Sequence, residues 1–518
     1  SESDSVPVTR AQNPQDVFLN TDRYRITLSN RGAVVTSWVL KDYIDEYDQP
    51  LEIVSPSTRR LDRYPLSVRL EDPDLDERIN TALYEVDRKT VTSADGPAER
   101  IHFRFRDDQG LVVEKTFEFP RDGFISRVQI RVQGPAGIGR PAIQVGPGFA
   151  SPDSPKGASR FFVLGQAILF NGSKLKKIPP KQLDPGEVLP SPGDFQWAGL
   201  EDTYFASVLI PSTGHIMDAW VRSDRWVEDG IERKLLSLGL PLASGGGDFD
   251  LFVGPNDLEI LSGLGSDLDR MVDFRPRDPF GILPTIARLL LSALKFIHRG
   301  VGNYGWAIIL LTITIRVLFF PLTQRSSVSM RRTQQKMKKI QPRIQSIKDK
   351  FRKHRKDPQW RNKMNQEVMA LYKKEGVNPL ASMKGCLPML LQLPILFGFY
   401  SLLQVAIELR QAPFIFWIVD LSRKDPYYIT PIVMGVTMFL QQKMTTPVGM
   451  DPMQRRMMMM MPLMFTFFFV NFPSGLVLYW LVSNLFGIGQ QFLINRQADR
   501  LVNHEIGARN GKLQRVSR

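Results

Sequence analysis

The segment GWAIILLTITIRVLFFPLT, residues 305–323, places a single arginine inside an otherwise apolar run. About 20 apolar residues in a helix are enough to cross the hydrocarbon layer of a membrane, which is about 30 Å thick. Arg316 lies well inside this run, where a charge costs about 2.5–3.5 kcal/mol on insertion scales. Such a residue generally faces the interior of a helix bundle or a water-filled cavity. The segment therefore predicts a membrane-spanning helix with one polar face.

The two halves of the chain differ in charge and in hydropathy. Residues 1–265 contain 30 Lys and Arg against 39 Asp and Glu, whereas residues 266–518 contain 37 against 14. The long apolar runs also lie in the second half, with the basic residues between them, which is typical of a multi-pass membrane protein. The single cysteine, Cys386, excludes an intrachain disulfide. All five histidines lie outside the apolar runs, which excludes zinc ligation or a Ser-His pair by histidines within those runs.

The first half has the pattern of short β-strands. Apolar and polar residues alternate in YRITLS at 24–29 and RVQIRVQ at 127–133, and turn sequences such as DDQG at 107–110 separate these runs. We therefore expect residues 14–265 to form one large antiparallel β-sandwich. In residues 266–300 the polar positions recur at helical spacing on an apolar background. This indicates an amphipathic helix in the membrane interface, with a core helix of the sandwich domain as the alternative.

The remainder predicts a membrane core over residues 301–495. Its predicted spans lie at about 303–322, 385–405, 427–444, 457–472 and 475–494. Residues 326–378 contain 16 Lys and Arg against 4 Asp and Glu, so the positive-inside rule places this loop in the cytoplasm. Alternation then puts the β domain outside and the basic tail, residues 496–518, in the cytoplasm.

The loop at 326–378 also has helical periodicity. Two apolar stripes, one over 337–351 and one over 360–371, predict a helical hairpin that forms a short antiparallel coiled coil. Its charged outer faces are either ordinary solvated surface or a contact for anionic lipid or RNA. The candidate contact residues are Lys338, Lys348, Arg352, Lys353, Arg355 and Lys356.

Arg316 has no acidic partner at a similar depth in the sequence. The only acid close to a predicted span is Glu408, on the outer side. An unpaired guanidinium in a bilayer implies water around it, and hence a hydrated groove. Thr312 lies one turn away on the same helix face. A stripe that includes Trp480, Asn484 and Gln491 in the last span is the candidate opposite wall, although Asn484 could equally serve interhelical hydrogen bonding.

Several long runs of this sequence resemble those of the YidC/Oxa/Alb family of membrane protein insertases, in its bacterial branch. The runs are ITIRVLFFPLT, LYKKEGVNPL, GCLPMLLQLPILFGFY, ELRQAPFIFWIVDLS, DPYYITPIVMGVTMFLQQKM and FPSGLVLYWLVSNL. Weaker phrases such as DTYFASVLIPS resemble the large periplasmic domain of the Gram-negative members. The resemblance implies a five-helix core with a groove open to the cytoplasm and to lipid, in which Arg316, Thr312 and Trp480 occupy groove positions. Members of the family also carry an additional membrane span before the periplasmic domain. The resemblance therefore implies that residues 1–13 are a disordered remnant of the segment after a missing N-terminal span.

The expected protein is therefore a multi-domain protein of the bacterial inner membrane. It combines a supersandwich-like antiparallel β-sandwich in the periplasm with a bundle of five transmembrane helices and a cytoplasmic helical hairpin. The resemblance implies a non-enzymatic insertase and chaperone without cofactor or metal. Its implied partners are nascent membrane proteins, the Sec translocon, the ribosome or signal recognition components, and the phospholipid bilayer. The sequence leaves open a small-anion transporter with a site at Arg316, and a carbohydrate-binding or mutarotase-like role of the β domain.

Overall fold

A computed structural model describes residues 8–516, apart from 46, 94–95, 136–137, 150–164, 229–230, 244, 273, 275–281, 352–356, 376–386 and 446–451. At residues 57, 93, 226, 228, 231–233, 327, 329–336, 338, 361, 387–391, 452, 454 and 496–516 it describes the backbone alone. The chain divides into two compact units, Ser1–Asp273 and Phe274–Arg518.

The first unit is built mainly of β-strands. In its described part the strands are β1 Asp16–Asn20, β2 Tyr24–Ser29, β3 Val34–Ile44, β4 Pro50–Glu52, β5 Ser67–Arg69, β6 Glu85–Ser93, β7 Gly96–Arg106, β8 Val112–Pro120, β9 Ile125–Gln133, β10 Ala142–Val145, β11 Gln166–Phe170, β12 Leu175–Ile178, β13 Val188–Phe195, β14 Trp197–Glu201, β15 Phe205–Pro211, β16 Ile216–Glu228, β17 Ile231–Pro241 and β18 Gly246–Pro255. The same described part also contains three short α-helices, α1 Ser57–Leu61, α2 Pro73–Thr81 and α3 Leu258–Leu264, and two 3₁₀-helices, Pro180–Gln182 and Leu268–Met271.

These strands form three antiparallel sheets. Their orders are β1-β2-β3-β4, β13-β16-β17-β10-β5 and β12-β11-β14-β15-β18-β9-β8-β7-β6. The alternation in β2 has its expected effect, because Tyr24, Ile26 and Leu28 are buried while the intervening residues are more exposed. The buried Trp38 of β3 packs against Phe119 of β8, with ring centroids 5.9 Å apart. The prediction of a β-rich first half is confirmed.

The second unit is helical. Its described helices are α4 Leu283–Val301, α5 Tyr304–Lys350, α6 Pro358–Lys374, α7 Leu387–Val405, α8 Ile429–Thr445, α9 Pro452–Phe469 and α10 Ser474–Val516. Helix α10 packs against α5 and α8, α9 packs against α8, and α4 packs against α5 and α7. This confirms the helical C-terminal region that the sequence predicts.

Two of the described helical segments are long and apolar enough to cross a membrane, judged by length and composition. They are Tyr304–Ser326 in α5 and Ser474–Asn495 in α10. Gln392–Val405 in α7 is a shorter apolar segment. The other predicted spans correspond to helices α8 and α9, and the count of five spans stays a prediction.

The amphipathic helix begins later than the sequence suggests. Residues 266–272 belong to the first unit, where the indole Nε1 of Trp197 donates to the carbonyl of Ser266 at 2.9 Å. Helix α4 starts at Leu283 and ends at Val301, and it is followed by Gly302, whose φ of 73° is the left-handed conformation favoured after a helix. Its apolar residues lie on two sides, since Leu290 and Leu294 are buried whereas others such as Phe296 are exposed.

Candidate functional site

Arg316 belongs to helix α5 and lies where this helix contacts α10 in the second unit. Its Nε donates to the hydroxyl of Ser483 in α10 at 3.4 Å, and the side chain is half-buried. Within the described part of the chain, Arg316 forms no ion pair with a carboxylate. Glu408 is paired instead with Lys295 of α4, at 3.0 Å. The guanidinium therefore keeps an unneutralised positive charge at the contact between α5 and α10.

Two further polar side chains extend this contact to a third helix. Tyr479, one turn before Ser483 in α10, is buried, and its hydroxyl accepts a hydrogen bond from the amide of Gln392 in α7. The Tyr479 hydroxyl also interacts with the Ser483 hydroxyl. It is close enough to the Arg316 guanidinium for an electrostatic interaction. Gln392, Tyr479, Ser483 and Arg316 thus form a polar chain, named here the Arg316 cluster, that joins α7, α10 and α5.

Thr312 lies on the same side of α5 as Arg316 but bonds within its own helix. Its side chain is fully buried, and its hydroxyl donates to the carbonyl oxygen of Ile308 at 2.6 Å. Threonine commonly satisfies its hydroxyl in this way in a helix. The hydroxyl hydrogen of Thr312 is therefore occupied within α5. The hydroxyl oxygen can still accept a hydrogen bond from a neighbouring group.

The predicted wall of Trp480, Asn484 and Gln491 lies on the neighbouring face of α10. Trp480 packs on Phe469 of α9, with ring centroids 5.1 Å apart. The amide of Asn484 lies 3.4 Å from the carbonyl oxygen of Met434 in α8, which is the interhelical contact that the sequence left as an alternative. Gln491 donates to Asn495 in its own helix at 2.9 Å. The structure thus brings Ser483, and not these three residues, into hydrogen-bond contact with Arg316.

Sequence reasoning missed Tyr479 and Ser483, although a signal for them exists. Tyr479, Ser483, Phe486 and Gln490 also recur at spacings of four, three and four residues. This second stripe contacts α5 along its length: Gln490 donates to Thr323 at 2.8 Å, and Phe486 packs on Phe320. Adjacent stripes on one helix have the same periodicity, so periodicity cannot tell which of them faces α5.

The C-terminal part of α5 packs against α6. Ile340 and Ile344 are buried, and Met337, Val368, Leu371 and Tyr372 pack against them. Ion pairs tie the outer faces together, with Arg343 and Glu375 at 2.6 Å and Lys350 and Glu367 at 2.9 Å. Among the predicted contact residues, Lys348 is exposed. The Lys338 side chain and residues Arg352, Lys353, Arg355 and Lys356 lie outside the described part of the chain.

Comparison with known proteins gives consistent matches over most of the chain. Two family descriptions match it: "YidC periplasmic domain" over residues 16–292 and "60Kd inner membrane protein" over residues 296–501. The membrane protein insertase YidC of Citrifermentans bemidjiense is 37% identical over 490 residues, which cover 93% of this chain and 86% of that protein. The membrane protein insertase YidC of Geobacter sulfurreducens is 37% identical over 484 residues, covering 92% and 85%. A crystal structure of an active YidC insertase with its first transmembrane domain resolved aligns over 93% of each chain, with 18% identity and a TM-score of 0.38.

Proposed function

The chain belongs to the YidC family of membrane protein insertases, and we propose that it moves hydrophobic segments of nascent membrane proteins into the bilayer through a hydrophilic groove built around Arg316. Membership makes it an inner membrane protein with a periplasmic domain and membrane-spanning helices. The family consists of insertases, which are not enzymes, so the site has to be understood as a path for polypeptide and not as a catalytic centre.

The observation that carries the proposal is the unneutralised charge in the Arg316 cluster. Arg316 contacts the neutral Ser483, and the next members of the cluster, Tyr479 and Gln392, are neutral as well. A guanidinium without a counter-ion is tolerated in a membrane where water can reach it. The polar cluster supplies hydrogen-bonding groups for such water at the meeting point of α5, α7 and α10.

We propose that five helical segments span the membrane. They are the first part of α5, the helices α7, α8 and α9, and the first part of α10. The basic α5–α6 hairpin and the basic tail of α10 then lie in the cytoplasm, because positively charged loops stay on that side. The loop between α7 and α8 lies on the periplasmic side together with the first unit.

In the proposed mechanism, the two parts of a client take different routes. A hydrophilic tail or loop enters the groove, attracted by Arg316 if it is acidic, and so avoids crossing the hydrocarbon layer without water. The apolar segment moves along lipid-facing side chains, for which exposed apolar residues of α8 and α9 such as Leu440 and Phe467 are candidates. Burial of the client in lipid supplies the driving force, about 0.8 kcal/mol for each CH₂ group.

The proposed partners follow from the positions of the charged surfaces. The hairpin and tail would receive ribosomes, signal recognition components or clients, because these parts carry dense positive charge. We further propose that the protein acts either alone or together with the Sec translocon, and as a chaperone for segments that wait at the groove.

A reconstitution experiment tests this function. Proteoliposomes that contain the full chain are supplied with a small single-span client bearing an acidic translocated tail, and protease protection of that tail is measured. Uptake of labelled anions into the same vesicles is measured in parallel. We expect protected client without anion uptake. Anion uptake without client insertion would instead support a transporter with its site at Arg316.

A further inference from the structure

A cavity in the first unit is lined by charged and polar side chains that insertion does not use. Its volume is about 90 Å³, and it lies where the β2–β3 turn, the segment before β5, and α2 meet. A cavity of this size holds several water molecules or a small ligand group. Its lining includes the side chains of Arg31, Asp62, Arg63, Ser67, Arg69 and Asn80.

The cavity has an excess of positive charge. Arg63 and Arg222 share one carboxylate, that of Asp224, at 2.7 and 3.2 Å. Arg69 is paired with Asp76 at 2.8 Å. Arg31 lies 3.8 Å from Asp62, and more than half of each of these two side chains is exposed. The lining itself thus contains three guanidinium groups and one carboxylate, that of Asp62. Together with the partners behind the lining there are four guanidinium groups for three carboxylates, which favours binding of one further anion, since arginine recognises planar carboxylates well.

Two polar atoms at the cavity have no hydrogen-bond partner among the described residues. One is the hydroxyl of Ser67, which is only 4% exposed. The other is Oδ1 of Asn80, whose Nδ2 already donates to the carbonyl oxygens of Val68 and Asp76, both at 2.8 Å. Buried polar groups are almost always paired. Oδ1 of Asn80 requires a donor, and the Ser67 hydroxyl can donate or accept, so a ligand with hydroxyl groups would satisfy both.

A buried lysine holds the two turns that carry these side chains. Nζ of Lys115 donates to the carbonyl oxygens of Gly32, Ala33 and Leu66 at 2.8, 3.0 and 3.0 Å. Ala33 and Leu66 have φ values of 49° and 63°, a left-handed conformation that is strained for residues other than glycine. Strained backbone persists where the surroundings impose it, and often marks binding sites. Here it fixes the positions of the segments that bear Arg31 and Ser67.

We propose that this cavity binds a small hydroxylated carboxylate, with the chemistry of a sugar acid. The carboxylate is held by Arg31 together with Arg63 or Arg69, and a hydroxyl group bridges Ser67 and Asn80. A neutral sugar lacks the group that the arginines recognise. A simple carboxylate lacks the hydroxyl that the two unpartnered atoms require.

The test measures binding to the full chain in detergent micelles by calorimetry, with glucuronate, glucose and acetate as probes. We expect glucuronate to bind at least tenfold more tightly than either of the other two. Failure of glucuronate to bind would overturn the proposal, and so would equal binding of acetate. Equal binding of glucose would show that the arginines do not select an anion and would overturn it as well.

Three variants assign the contacts. Ser67→Ala removes a hydroxyl without a described protein partner, so folding is preserved while glucuronate affinity falls about fivefold, the effect of one hydrogen bond. Arg31→Gln should lower the affinity about tenfold, as expected for a hydrogen bond between charged groups. Ser223→Ala is the matched control, because Ser223 is also a buried serine with an unpartnered hydroxyl but does not line the cavity. Unchanged affinity in Ser67→Ala, or an equal loss in Ser223→Ala, would contradict the assignment.

Discussion

At the scale of single residues, Arg316 is the position on which the proposed function depends. Its position in an apolar run is visible in the sequence, and the absence of a nearby acid already implies water around it. The structure adds that its hydrogen-bond partner is the neutral Ser483 and that Glu408 is occupied by Lys295. In the proposed mechanism this charge is the one that attracts an acidic client segment.

Replacement of Arg316 tests the role of its charge. We expect Arg316→Ala to slow insertion of clients with acidic translocated segments about tenfold, equivalent to about 1.4 kcal/mol, and that of purely apolar clients about twofold or less. Arg316→Lys keeps the charge and should keep most of the activity. Insertion rates in proteoliposomes are measured for both client classes.

The control for this series is Arg456→Ala, which removes an exposed positive charge at the start of α9, outside the Arg316 cluster. It should insert both client classes at the rate of the unmodified chain. An equal loss with both classes in Arg316→Ala would indicate that Arg316 only stabilises the helix bundle.

The buried Lys115 predicts that the free energy of unfolding of the first unit depends on pH. Burial lowers the pKa of Lys115 to about 7, whereas an exposed lysine has a pKa of about 10.4. Between these values the unfolded chain binds a proton that the folded chain does not, so the free energy of unfolding rises as pH increases from about 7 towards 10.

The free energy of unfolding is obtained from the urea dependence of hydrogen exchange in β2 and β3. It is measured at several pH values between pH 7.5 and 9.5, with exchange rates corrected for pH. Lys115→Met should remove most of the rise. A variant with the same slope as the unmodified chain would show that Lys115 is not its source.

At the scale of elements, the faces of α8 and α10 determine which helices meet. Asn484 and Gly487 face α8, and a side chain added at Gly487 would collide with the amide of Gln441. Gly435 of α8 has the same role towards α9, because a Cβ at this position would collide with the hydroxyl of Thr466. Small residues at these positions let the helices approach closely.

We expect Gly435→Leu to loosen the contact between α8 and α9. Threonine has few rotamers and cannot move away easily, so the overpacked contact should lower the free energy of unfolding by about 1–3 kcal/mol. The thermal unfolding midpoint of the full chain in detergent is the measurement. Gly489→Leu is the matched control, since no atom lies within 4 Å of a Cβ at Gly489. A comparable decrease of the midpoint in both variants would contradict this role of Gly435.

At the scale of the whole molecule, the charge distribution predicts the orientation in the membrane. The chain carries an excess of basic residues in its second half, concentrated at residues 326–378, and an excess of acidic residues in its first half. Basic loops remain in the cytoplasm during insertion. The predicted orientation is tested in a membrane.

Cysteine labelling provides that test. In a Cys386→Ser background, we expect Lys348→Cys to react with a membrane-impermeant maleimide only when the cytoplasmic face is accessible. Val419→Cys, an exposed position between α7 and α8, should react from the periplasmic face. Both variants should be labelled fully after detergent is added, which controls for burial. Labelling of Lys348→Cys in intact cells would contradict the proposed topology.

The sequence by itself determined the division into a β half and a helical half, the apolar stripes at residues 337–351 and 360–371, and the isolation of Arg316 within an apolar run. These features depend on local periodicity, on charge and on the cost of a charge among apolar residues, all of which are properties of the chain itself. Only the tertiary structure decided that Arg316 meets Ser483 and that Tyr479 and Gln392 extend the polar contact. It also brought Ser67, Asn80 and three arginines around one cavity. Such contacts join residues far apart in sequence, and the rotation of each helix or turn that aligns them is set by packing against its neighbours, which no local pattern encodes.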